Sequence, residues 1–144
     1  MLKEELMTDR LVTVHMDDPL SHVKHLFDTH RFHHLLVVEK NRLVGVVSDR
    51  DLFKSLSPNI GTPAETVKDT ASLQKRVHQI MSRDLVTIAP DKGLLAAVKM
   101  FNRYRVSCLP VIDEHMKPLG ILSWRDVFNY VEMNQAQKQF ATKP

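Results

Sequence analysis

The stretch "GVVSDRDLF" (residues 45–53) returns as "GILSWRDVF" (residues 120–128), with Gly, Ser, Arg, Asp and Phe in the same places. In each copy an apolar run enters Ser-x-x-Asp and an amphipathic stretch follows. That order reads as a strand stopping where a helix starts. Ser48 and Ser123 would cap the helices, and Asp51 and Asp126 would reach back to a free main-chain N–H. The preceding glycines allow close packing of another backbone.

The duplication extends outward from this junction. Shifted by 74 positions, Met7 meets Met81, "LVTV" at 11–14 meets "LVTI" at 85–88, and Leu20, Phe27, Arg31, Leu35 and Val37 meet Leu94, Phe101, Arg105, Leu109 and Val111. One extra residue in "DEHMKP" moves the offset to 75, which aligns the two junctions. Repeats of about 50 residues bury too little apolar surface alone, so the two are expected to pack on each other.

Both copies carry the same element signals. "LVTV" and "LVTI" are short β-rich runs. Leu20, Val23 and Phe27, and Leu94, Ala97, Val98 and Phe101, recur at helical spacing. "LLVVE" and "LPVID" are strands, "KNR" and "EHMKP" are turns, and "LVGVVS" and "PLGILS" are returning strands. Leu52, Phe53 and Leu56, and Val127, Phe128 and Val131, mark a second helix. The fold class is α+β: two β-α-β-β-α repeats in pseudo-twofold symmetry, with small sheets covered by helices. Repeat 1 spans 7–57 and repeat 2 spans 81–131. Residues 58–80 form a linker, polar at first, whose Leu73, Val77 and Ile80 predict a short connecting helix. Residues 132–144 read as a polar, fraying tail.

Composition narrows the function classes. No apolar run approaches the roughly 20 residues a bilayer span needs, so no membrane partner is expected. "MLKEELMTDR" lacks the layout of a signal peptide, and the single Cys108 excludes an internal disulfide, so the cytoplasm is the expected compartment. Residues 1–72 carry 9 Lys+Arg against 11 Asp+Glu, and residues 73–144 carry 11 against 6. That basic second half helps an anion approach. It has no run of basic residues and no aromatic interleaving, so nucleic acid is not the expected partner.

The junction also supports a binding reading. A helix start leaves N–H groups unpaired and carries partial positive charge. A serine hydroxyl there can donate to phosphate, an arginine two residues on can pair with phosphate oxygens, and a carboxylate three residues on can accept from ribose hydroxyls. Capping and ligand binding use the same residues, and the sequence leaves both open.

On these residues the chain resembles a tandem pair of cystathionine-β-synthase (CBS) domains, a Bateman module. Gly45-Val46-Val47-Ser48-x-x-Asp51 and Gly120-Ile121-Leu122-Ser123-x-x-Asp126 carry the resemblance, with "RVSCLPVID" at 105–113. The resemblance implies a regulatory module, not an enzyme, with no catalytic cofactor or metal. Its ligand would be an adenosine-containing nucleotide held between the repeats, AMP first, with ADP and ATP as alternatives. S-adenosylmethionine, a cyclic dinucleotide, or no nucleotide at all in a scaffold role are the other readings. Asp51 and Asp126 would hold ribose. Ser48 and Ser123 would hold phosphate, with Arg50, Arg125, Arg31 and Arg105 as further phosphate partners. Met7, Thr8, Thr13, Val14, Val37, Met81, Ser82, Thr87, Ile88 and Val111 would surround the base. Such modules often pair through helices, so a homodimer is expected, with Phe53, Leu56, Phe128 and Val131 either as contacts or as core residues. The regulated protein is not indicated. Asp49, which answers Trp124, would repel phosphate, which favours the Ser123 junction as the occupied one.

Six of the eight histidines lie within residues 15–34. Their spacing supplies pairs but no third or fourth ligand, so a polar surface is expected rather than a metal site. His33 or His34 could meet a phosphate, with protonation strengthening the contact. Cys108 reads as a small core residue. No G-x-x-x-x-G-K-[ST] loop and no nucleophile–base set is present.

Overall fold

The computed structural model describes residues 11–142, with side chains through residue 137. These residues divide into two compact units, Val12–Leu85 and residues 86–142 together with Leu11.

In the first unit, strand β1 (Thr13–Val14) lies parallel to β2 (His34–Glu39), which pairs antiparallel with β3 (Arg42–Ser48), giving the order β1-β2-β3. The β2–β3 hairpin closes on Lys40 and Asn41, both at positive φ (49° and 64°). A two-residue turn with two left-handed residues matches the twist of the strands it joins. Along β3, Leu43, Gly45 and Val47 point inward and alternate with half-exposed residues, as a pleated strand with one covered face requires. Helix α1 (Leu20–Thr29) contributes Leu20 and Val23, and α2 (Asp49–Ser55) contributes Leu52, to a core with Val14, Leu35, Val37 and Val47.

The segment joining the repeats belongs to this unit. It is not the single short helix that Leu73, Val77 and Ile80 predict. A five-residue helix α3 (Val67–Ala71) is capped reciprocally by Thr66 and Asp69. Two 3₁₀ turns follow, Ser72–Gln74 and Val77–Gln79, with extended backbone at Lys75 and Arg76 between them. The extension has a cause. Leu20 N–H donates to Lys75 O (2.8 Å), Val77 N–H to Asp18 O (2.9 Å) and His78 N–H to Met16 O (3.0 Å). Three bonds to the β1–α1 loop compete with the helix ladder and drop Val77 into the core, where it is fully buried. Ser57 Oγ donates to Asp69 Oδ1 (2.6 Å), and this bond is the first reason the Asp69 carboxyl is held below the usual range.

In the second unit, β4 (Cys108–Ile112) and β5 (Pro118–Ser123) form an antiparallel pair, flanked by α4 (Leu94–Tyr104) and α5 (Trp124–Thr142). The expected "LVTI" strand is reduced to one parallel bridge between Ile88 and Val111. Ile88 N–H donates to Pro110 O (3.0 Å), and Ile112 N–H donates to Ile88 O (3.1 Å). The next rung would need the amide hydrogen of residue 110. Proline has none, whereas Leu36 at the matching place in repeat 1 keeps β1 paired. Ile88, Ala97, Phe101, Leu109, Val111, Leu122 and Val127 form the core. Both hairpins shift register at the same place, after Val37 and after Val111. The polar segment after Glu132, expected to fray, continues α5 to Thr142. It holds Met, Gln, Ala and Lys, with no glycine or proline to stop the helix.

Candidate ligand-binding site

Each repeat builds the same junction from its returning strand. β3 ends at Ser48, whose extended backbone leads into α2. Ser48 N–H donates to Asp51 Oδ2 (3.0 Å), and Asp51 N–H donates to Ser48 Oγ (3.0 Å). In repeat 2, Ser123 N–H donates to Asp126 Oδ2 (2.8 Å) and Asp126 N–H to Ser123 Oγ (3.3 Å). The Ser123 hydroxyl also donates to Asp126 Oδ2 (3.1 Å). Both capping boxes therefore form, and each is worth about 1 kcal/mol. In each acid only Oδ2 is used. Oδ1 of Asp51 and Oδ1 of Asp126 accept no hydrogen bond from a described residue. Both side chains are half-buried. Each junction thus keeps one anionic oxygen uncommitted among the described residues.

The glycine before each serine has a concrete task in repeat 1. A Cβ on Gly45 would stand 2.6 Å from Met81 Sδ and 3.1 Å from Ser82 O. The Met81–Ser82 backbone lies against β3 there, with Val46 N–H donating to Ser82 O (3.1 Å) and Ser82 N–H to Val46 O (2.9 Å). Met81 and Ser82 are therefore brought beside the Ser48 strand.

The residue after each serine differs, and so does its tether. Asp49 N–H donates to His33 O (2.9 Å), and its Oδ2 lies 2.8 Å from His33 Nδ1. Trp124 instead donates from Nε1 to Val106 O (2.9 Å) and leaves half its surface exposed. Asp49 is thus engaged by a histidine. Next to it, His34 is half-buried, and burial pushes its imidazole below the ordinary value near 6.5 against the opposing pull of Asp49 and Asp51. These tethers are missed by spacing rules. The signal that finds them is hairpin register: His34 stands opposite Ser48, so His33 meets Asp49, and Cys108 stands opposite Ser123, so Trp124 reaches the segment before Cys108, at Val106.

The other predicted residues are spread more widely. Arg31, Arg50, Arg105 and Arg125 are exposed. Arg105 ends α4 in the left-handed region (φ 52°). Thr13 is exposed and Thr87 half-buried, beside Val14 and Ile88. The side chains of Val14, Val37, Ile88 and Val111 are packed in the two cores at 1%, 0%, 5% and 0% exposure, so what they can offer a ligand is main chain. Met7 and Thr8 lie outside the described residues. Of the helix positions, Phe53 and Phe128 are exposed (65% each), Val131 is 42% exposed, and Leu56 packs against the first core. No group of three or more His, Cys, Asp or Glu among the described residues is placed to hold a metal. No helix among them is long and apolar enough to cross a membrane. Burial pushes the Cys108 thiol up to about 12.

Comparison with known proteins places these junctions in a family. The chain is 27% identical over 124 residues to a homoserine O-acetyltransferase of Methanococcoides burtonii, covering 85% of this chain and 22% of that protein. It spans about a fifth to a quarter of the length of that enzyme and of the other curated enzymes it matches. Among solved structures it is similar to a putative acetoin utilization protein (AcuB) from Vibrio cholerae, with TM-score 0.77 at 24% identity over 99% of this chain and 97% of the other. It is also similar to the cytosolic domain of the Mg²⁺ channel MgtE in complex with ATP, with TM-score 0.67 at 25% identity over 86% of this chain and 46% of that one. The profile of the CBS domain matches residues 2–58 and again 77–133, so most of the sequence is accounted for by two copies. The chain belongs to the CBS domain family and carries that domain twice, with the Ser48–Asp51 and Ser123–Asp126 junctions at corresponding places in the two repeats.

Proposed function

We propose that this chain is a regulatory module that binds an adenosine-containing nucleotide, AMP first and ADP or ATP as alternatives, and that it binds without catalysing. One observation carries the reading: each capping acid spends one oxygen on its helix and keeps the other uncommitted. A cap alone needs only the first oxygen. The second can accept from ribose hydroxyls, with the capping serine and the exposed Arg50, Arg125, Arg31 and Arg105 as phosphate partners. The ATP complex of the MgtE cytosolic domain supports an adenine nucleotide for a fold of this kind. Asp49 is engaged by His33 and Trp124 adds no charge, which favours the Ser123 junction for phosphate; there the Ser123 hydroxyl would turn its hydrogen from Asp126 Oδ2 to the ligand.

The exposed Trp124, Phe128 and Val131 recur at i, i+4, i+7 on α5, and a second copy of the chain is the proposed cover for this stripe, with Phe53 as a further contact. Nucleotide binding would then act on a partner protein by favouring one of two states of the module.

Isothermal titration with AMP, ADP, ATP and S-adenosylmethionine, with light scattering for the oligomeric state, tests the reading. Binding of at least one adenine nucleotide, lost on substitution at Asp126, is expected. No heat and no thermal shift with any of them would leave the two junctions as caps in a scaffold.

A further inference from the structure

A groove of about 320 Å³ runs along α4 in the second unit, away from both Ser-x-x-Asp junctions in sequence. Its floor is apolar, with Ile88, Ala96 and Met100, and its rim carries Lys92, Lys99 and Arg103. No aspartate or glutamate lines it. None of the three cations enters an ion pair with a described residue; Arg103 lies over the Tyr104 ring, 5.5 Å from its centre. Helical spacing explains the stripe: positions 92, 96, 99, 100 and 103 fall along one side of the helix and the turn before it.

The chain contains its own control. At the matching positions of repeat 1 stand Asp18, His25 and Thr29, and that repeat folds to the same elements. Three cations at this place are therefore not a requirement of the fold. They set part of the basic excess of the second half over apolar surface, where their stems can lie on the groove while the charges face water.

We propose that this groove docks an acidic segment of a partner protein, with an apolar side chain of that segment seated on Ala96 and Met100. Dimensions favour a chain over a single small anion. Residues 94 to 103 span about 14 Å at helical rise, and Lys92 stands two residues before the helix, beyond the extended Gly93. Lys99 and Arg103 lie about one turn apart and can share one carboxylate, but Lys92 stands before the helix start, more than one turn from Lys99. An extended segment covers about 14 Å with four to five residues, so carboxylates two to three residues apart reach both ends. Charge complementarity of this kind sets encounter rate and partner choice. None of the three cations belongs to the junctions, but Thr87 and Ile88, expected beside the base, also line the groove, so the AMP arm of the test separates the two uses.

The test is fluorescence anisotropy of the full chain with a labelled nine-residue peptide alternating Glu and Leu. Binding that weakens at least tenfold between 50 and 300 mM NaCl is expected. The double variant K99E/R103E should lose binding at least tenfold, and K92E several-fold, while K54E in repeat 1 leaves it unchanged. Both groove variants alter exposed charges, and circular dichroism with thermal melts confirms that they fold. If K99E/R103E alone misfolds, K92E decides. Three results would overturn the proposal: affinity indifferent to K92E and K99E/R103E, equal binding of a Lys–Leu peptide, or stoichiometric displacement of the peptide by AMP, which would assign the groove to the nucleotide. Binding to phosphatidylglycerol vesicles or to RNA that depends on these residues, with none to the peptide, would also overturn it.

Discussion

Substitutions at Asp126 separate two jobs held by one carboxylate. Oδ2 accepts Ser123 N–H at 2.8 Å and the Ser123 hydroxyl at 3.1 Å, while Oδ1 is uncommitted. Asp126→Ala removes both oxygens. Loss of the cap costs about 1 kcal/mol, a fall of about 4 °C in the melting temperature. Loss of two charge-assisted bonds to ribose costs about 3 kcal/mol, a hundredfold in affinity. Asp126→Asn is the discriminating variant. Its amide oxygen still accepts Ser123 N–H, so stability should stay within about 0.5 kcal/mol of the parent. Its outward group becomes a neutral NH₂, so affinity should fall tenfold or more. Urea denaturation measures the first quantity and titration calorimetry with AMP or ATP the second. Parent-like nucleotide affinity in both variants would refute the reasoning. So would an affinity that falls only in step with lost folding, because either result confines the carboxylate to its own helix.

Three further outcomes follow from the packing. Gly45→Ala places a methyl group against Met81, whose side chain can swing, and against Ser82 O, which cannot without opening the Val46–Ser82 pair. A loss of about 1–3 kcal/mol is expected in urea denaturation, and parent stability would show that the contact relaxes freely. His34 has its pKa lowered, chiefly by burial, so the unfolded chain takes up a proton first as the pH falls. Stability should therefore drop as the pH falls from about 6.5 toward the lower folded value, and His34→Gln should flatten that slope in melts between pH 7.5 and 5.5. A slope unchanged by the substitution would assign the titration elsewhere. The Cys108 thiol, pushed up to about 12 by burial, should resist a disulfide-exchange reagent at pH 8 in the native protein and react at once in guanidinium. Rapid stoichiometric reaction of the folded chain would contradict the burial.

The duplication, the reciprocal caps and the tight hairpin turn were legible in the sequence for one physical reason: they are local. A serine meets an aspartate three residues on whatever the rest of the chain does, and Lys40-Asn41 can close a hairpin with no distant partner. Residues joined across space were not legible. Only the family resemblance assigns Val37 and Val111 to the base; that strand alternation and helix cover bury both side chains, leaving only main chain to a ligand, depends on the fold. Leu73, Val77 and Ile80 carry helical spacing, but bonds to the β1–α1 loop pull Lys75–Arg76 straight. Pro110 shows the same split. Its missing N–H is written in the sequence, but the rung it would have donated exists only once Ile88 lies beside Val111. The chain's order thus determined which groups stand at each helix start. Tertiary structure decided which oxygen of each acid stays free, because that depends on every donor the fold brings within reach.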